Sequence, residues 1–117
     1  MSHETLRCLD RGRALFNAGE HWEAHEAWEE AWQDEEGEVK LFLQGLIQAA
    51  AAMHKAFVQE QPASCAKLLA KALDKLDPLA DDMGGIDLAR FREALRRFRA
   101  EAPRIFLAGA ADVGPPR

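Results

Sequence analysis

Two stretches decide the fold: residues 21–32, HWEAHEAWEEAW, and residues 41–57, LFLQGLIQAAAAMHKAF. Side chains on a helix advance 100° per residue, so those three and four apart share a face. In the first stretch Trp22, His25, Glu26, Glu29 and Trp32 fall on one side, and Ala24, Ala27 and Ala31 fall on the other. A strand would alternate every second residue, and this segment does not. The alanine side lets a second helix approach closely. In the second stretch Gln44, Ile47, Gln48, Ala51, His54 and Lys55 share a side, and almost everything else is apolar. The polar interruptions exclude a membrane span, because each would need a partner in hydrocarbon. The pattern therefore predicts a buried core helix beside an amphipathic one.

Outward from this pair, helical periodicity extends over most of the chain. The reading predicts a first helix from Glu4 to Ala18, ended by Gly19, with Leu6, Leu9, Arg13 and Phe16 recurring along it. The second runs from His21 to Gln33 and the third from Val39 to Gln59, separated by Asp34-Glu35-Glu36-Gly37. A turn at Gln61-Pro62-Ala63-Ser64 precedes a fourth helix ending near Leu76. Gly84-Gly85 mark a longer connection, Asp87 is placed to cap a fifth helix from Leu88 to Ala100, and Pro103 is expected to close it. The expected architecture is all-α: a compact bundle of five helices without β-sheet. Its helix pairs resemble those of tetratricopeptide repeats. Residues 1–107 read as a single helical domain and residues 108–117, rich in Gly, Ala and Pro, as a flexible C-terminal tail.

The net charge is −5, which argues against nucleic-acid binding by bulk electrostatics. The charge is uneven. Nine acidic residues lie between Asn17 and Lys40, while the fifth helix carries Arg90, Arg92, Arg96, Arg97 and Arg99. These read as two solvated faces that attract each other within or between chains. The two cysteines, Cys8 and Cys65, sit in helical segments and form no C-x-x-C pair, so they read as reduced core residues. No basic and apolar leader is visible at the N-terminus, and the expected location is the cytoplasm. Partners are undefined beyond no nucleic acid, no membrane, and a monomer or homodimer.

The side of the second helix that mixes aromatics with a histidine and carboxylates is chemically odd. Short connections make the second and third helices antiparallel neighbours. Gln44 and Gln48 then come within reach of His25, Glu26 or Glu29, with His54 about two turns further on. The foremost reading is a satisfied polar network that fixes helix register, packed by Trp22 and Trp32. A second is a small-molecule or hydrolytic pocket in which Glu29 orients His25 as a general base. No serine or cysteine nucleophile stands at a recognisable elbow. A third is a metal centre at His25, Glu29 and His54 (or His21), a near miss of the H-E-x-x-H helix. The favoured expectation is no metal and no cofactor. A fourth is a protein-interaction module, which an exposed apolar groove would favour.

The run from Phe16-Asn17-Ala18-Gly19-Glu20-His21-Trp22-Glu23-Ala24-His25-Glu26 through Glu29 and Trp32, followed by Phe42-Leu43-Gln44-Gly45-Leu46-Ile47-Gln48 to His54, resembles the domain-of-unknown-function family 309. The resemblance covers residues 7–76 and implies a small helical bundle found largely in bacteria and archaea, with no established activity. It places the family's motif positions at His25, Glu26, Glu29, Trp32, Gln44, Gly45, Gln48 and His54. One departure is the turn before the fourth helix. Many members carry Gly-Asn there, and this chain has Glu60-Gln61-Pro62.

Overall fold

A computed structural model describes the backbone of residues 1–108 and the side chains of residues 1–101. It contains α1 (His3–Asn17), α2 (His21–Trp32), α3 (Gly37–Phe57), α4 (Pro62–Leu76) and α5 (Leu88–Ala108). Successive helices pack against one another, α1 on α2, α2 on α3, α3 on α4 and α4 on α5. The fold is the expected all-α bundle.

The helix ends have local causes. Ser2 caps α1 by accepting a 3.1 Å hydrogen bond from the Thr5 amide. Gly19, at φ +84°, ends α1 in the left-handed conformation that glycine adopts without strain. Pro62 opens α4 at its first position, where its missing N–H is no loss, so the expected turn is shorter than the sequence suggested. Asp87 caps α5, its carboxylate accepting from the Arg90 amide at 3.0 Å, as expected.

Two expectations need correction. Strands β1 (Asp82–Met83) and β2 (Ile86–Asp87) form an antiparallel pair about Gly84-Gly85. Both glycines have positive φ, the geometry a two-residue hairpin turn demands. The pair is only two residues deep and leaves the fold class unchanged. Pro103 does not close α5, which runs on to Ala108. A proline removes one helical donor and crowds one carbonyl, and the strong helix formers on both sides carry the helix across that loss. Ala108, assigned to the tail, is the last residue of α5; the rest of the expected tail, 109–117, lies outside the described residues.

The core is centred on α3. Phe42, Leu43, Leu46, Ala49, Ala50, Ala52, Met53 and Ala56 are buried there and meet Ala24, Trp28 and Ala31 of α2 and Leu69, Ala72, Leu73 and Leu76 of α4. The alanine side of α2 is thus the packed side. Trp28 lies within that same stripe and is 2% exposed. It donates from Nε1 to the Leu9 carbonyl at 3.2 Å, and its ring lies so close to Gly12 that a Cβ there would meet it at 2.2 Å. Gly12 therefore sets the α1–α2 spacing. On α1, Leu6 and Arg13 are exposed, and the buried stripe is Thr5, Cys8, Leu9 and Gly12.

The fifth helix is not a uniformly solvated basic face. Arg92 is buried and donates to the carbonyls of Leu76 at 2.9 Å and Leu79 at 3.1 Å, with Asp81 as its charged partner. It adds a second donor to the Leu76 carbonyl, which also accepts from the Leu79 amide at 3.1 Å, and it bonds the Leu79 carbonyl in the connection that follows α4. Arg96 pairs with Asp77, and Arg97 lies 3.9 Å from Glu93. On the acidic side, Glu30 pairs with Arg11. Among the described residues the acidic stretch and the α5 arginines do not pair with each other; Glu30, Arg92, Arg96 and Arg97 find opposite charge nearer along the chain.

Candidate functional site

The seam between α2 and α3 holds most of the residues singled out from the sequence. Its register is fixed at one end by Trp22, whose ring lies 4.9 Å from that of His54, and at the other by Lys40, whose Nζ sits 4.2 Å over the Trp32 ring. This antiparallel register sets Gln48 opposite the His25–Glu29 turn. His25 Nε2 lies 3.5 Å from Glu29 Oε1 one turn along, the predicted pairing at the outer edge of hydrogen-bond reach. Trp22 stacks on the His25 imidazole with centroids 4.5 Å apart and planes 14° from parallel. Trp22 is itself 44% exposed. An exposed tryptophan therefore covers two histidines, one from each helix.

The rest of the predicted convergence is not made as hydrogen bonds. Gln48 Oε1, His25 Nδ1, Trp32 Nε1 and His21 Nε2 are all buried without a hydrogen-bond partner among the described residues. With a proton on His25 Nε2 facing Glu29, Nδ1 is left as a buried lone pair. Gln44 is half-buried and sits on the same face. Glu26 is exposed and faces away: with Glu23, Glu29 and Glu30 it lines an acidic groove toward Arg11 on the α1 side of α2. The 100° step from His25 to Glu26 is enough to turn one carboxylate out of the seam. Trp32 lies about two turns from His25, at the corner where the chain turns into α3.

His21 is the seam residue that the sequence reading left off its main set. It is 5% exposed, with Phe16 edge-on at 4.8 Å and Phe57 stacked at 6.4 Å. Burial lowers its pKa to about 4, helped by repulsion from His54 and opposed by Glu23. At neutral pH it is an uncharged ring. The signal was in the sequence: His21 stands four residues before His25 and three before Ala24, at the boundary of the packed face.

Among the described residues no group of three or more His, Cys, Asp or Glu side chains is arranged to hold a metal ion, so His25, Glu29 and His54 do not converge on one point. The cysteines are free and belong to the core. Burial raises the Cys8 thiol and pushes that of Cys65 up to about 11, which keeps both protonated. The chemistry the seam offers is therefore hydrogen bonding: a carbonyl acceptor from Gln48, an imidazole lone pair from His25 and an indole donor from Trp32.

The described helices include none long and apolar enough to cross a membrane. An uncharacterized protein of Aquifex aeolicus (strain VF5) is 30% identical over 109 residues, which is 92% of this chain and 30% of the relative. The chain thus spans under a third of that relative's length. The profile of one family matches residues 9–68, a segment that contains the whole α2–α3 seam from His21 to Phe57. By that match, as the sequence resemblance implied, the chain belongs to the family described as domain of unknown function (DUF309).

Proposed function

We propose that the α2–α3 seam binds a small polar molecule at the turn between His25 and Gln48, beneath Trp22. One observation carries this reading: the buried, unpartnered atoms His25 Nδ1 and Gln48 Oε1. A polar network that serves only to fix helix register pairs its own members, since an unmet buried polar atom costs about 1–3 kcal/mol. The His25–Glu29 pair at 3.5 Å supports the same reading, because it orients the imidazole, and Trp22, 44% exposed, is the residue that would have to swing aside to admit a ligand. The matching ligand presents an N–H or O–H donor to these acceptors, as a primary amide or a hydroxy compound does. No reaction is assigned. The free cysteines fit a reducing, cytoplasmic setting, and the net charge of −5 fits a reading without a nucleic-acid partner.

A thermal-shift titration tests this with acetamide, glycolate and acetate at pH 7.5. The expected result is a saturable rise in Tm for a donor-bearing probe, absent in Gln48→Leu. Equal responses of the wild type and this variant to every probe would overturn the proposal.

A further inference from the structure

A second concavity shares no residue with the His25 site. It is a groove of about 720 Å³ between α1, α5 and the β-hairpin. Its floor is aromatic: Phe16 packs edge-on to Phe91 at 5.5 Å and lies 5.9 Å from Trp28. The floor is rigid, because Trp28 is held by Leu9 and by its contact with Gly12. The volume falls within the range usual for small-molecule sites.

Two charges of the same sign flank this floor from different elements, Arg13 on α1 and Arg90 on α5. Arg13 shares an exposed pair with Asp10 at 3.0 Å, an arrangement that water and ligands exchange readily. Arg90 takes part in none of the ion pairs among the described residues. The one carboxylate in the lining, Asp87, is engaged in accepting from the Arg90 amide as the α5 cap. Beyond the arginines the groove runs on into a smaller, mostly apolar cavity of about 190 Å³ lined by Met53, Leu95 and Phe98. Phe16, Asn17, Phe91 and Ala94 line both cavities. A cationic mouth, an aromatic floor and an apolar end follow one another along a single path.

We infer that this groove binds a small amphipathic carboxylate, its head between Arg13 and Arg90 and its aliphatic or aromatic body along Phe16 and Phe91 toward Phe98. A guanidinium recognises a carboxylate through charge-assisted, often paired hydrogen bonds, and the body buries apolar area that now faces water. An uncharged molecule with the same tail gains only the second term. The inference does not depend on the reading of the α2–α3 seam.

The test is a titration of the isotopically labelled full chain with octanoate and with 1-octanol, read by amide chemical shifts. Octanoate is expected to shift Ile86, Phe91 and Ala94 saturably, and 1-octanol to bind at least about tenfold more weakly. In the double variant Arg13→Gln/Arg90→Gln the two probes should bind alike, and Ala94→Trp, which fills the shared stretch, should abolish the octanoate shifts. Equal affinity of both probes for the wild type would overturn the inference, as would octanoate shifts confined to residues outside the groove. Should Ala94→Trp fail to fold, the comparison on the wild type still decides.

Discussion

Gln48→Leu separates a site from a scaffold. The side chain is half-buried, and its Oε1 has no hydrogen-bond partner among the described residues. Leucine conserves the volume roughly and removes the amide. If Gln48 held the two helices together through hydrogen bonds, its loss would strand a partner on α2 and cost about 1–3 kcal/mol. Among the described residues there is no such partner, so the sign reverses. Removing a stranded carbonyl should leave stability unchanged or raise it by up to roughly 2 kcal/mol. For a domain of this size that is a Tm rise of up to about 8 °C. Urea unfolding at pH 7.5, with the m-value checked for constancy, reads the change directly. A loss of more than about 1 kcal/mol would refute the reasoning, because it would show that Gln48 is already paired. Stabilisation together with lost ligand response is the signature of a residue kept for binding at the expense of stability.

Other perturbations test the frame around the site. Gly12→Ala would ordinarily gain about 1 kcal/mol of helix propensity, but the Trp28 ring occupies the space, so a net loss of about 2 kcal/mol or more is expected in urea melts. Arg92→Leu should cost about 2–4 kcal/mol, because the Leu79 carbonyl loses its side-chain donor, the Leu76 carbonyl loses one of its two donors and Asp81 loses its charged partner, and Arg92→Lys should not restore it. Glu60, held at φ +51° where glycine would sit without strain, should give about 0.5–1 kcal/mol of stabilisation on replacement by glycine, read as a higher urea midpoint. His21 is lowered to about 4 in the fold against 6.5 ordinarily, so the unfolded chain binds more protons between those values. Its contribution is complete above pH 6.5 and is lost as pH falls toward 4, amounting to at most roughly 3 kcal/mol. The wild type should therefore lose more stability than His21→Phe between pH 7 and pH 4.5.

The helices were legible because their causes are local. Gly19, Asp87 and the alanine face of α2 each act within a few residues, and the structure uses all three as expected. What was missed depends on distant neighbours. Trp28 belonged to the alanine stripe by spacing, yet only the approach of Gly12 explains how α2 can bury so large a ring against α1. Arg92 stands in the Leu88–Leu95 stripe, a position that marks an unusual arginine without revealing that it serves the end of α4. At the site, the helical wheel places His25, Glu29, Gln48 and His54 on one side but cannot resolve which atoms meet; the structure sets His25 beside Glu29 and Trp22 over His25 and His54, and leaves Gln48 Oε1 without a hydrogen-bond partner among the described residues. Hydrogen bonding across two helices turns on shifts of an ångström, far finer than a 100° step. Glu26 is a different case: the 100° step from His25 already turns it out of the seam toward α1.

The most direct test of the central claim is the long-range proton–nitrogen spectrum of the imidazole rings, recorded with and without acetamide at pH 7.5. The four histidines supply their own controls, since His3 is exposed near the N-terminus and His21 is closed in by Phe16 and Phe57. The account predicts that the Nδ1 resonance of His25 shifts saturably while those of His3 and His21 stay in place, and that the Gln48 side-chain amide follows the same binding curve. An unmoved His25, or equal movement of all four rings, would contradict it.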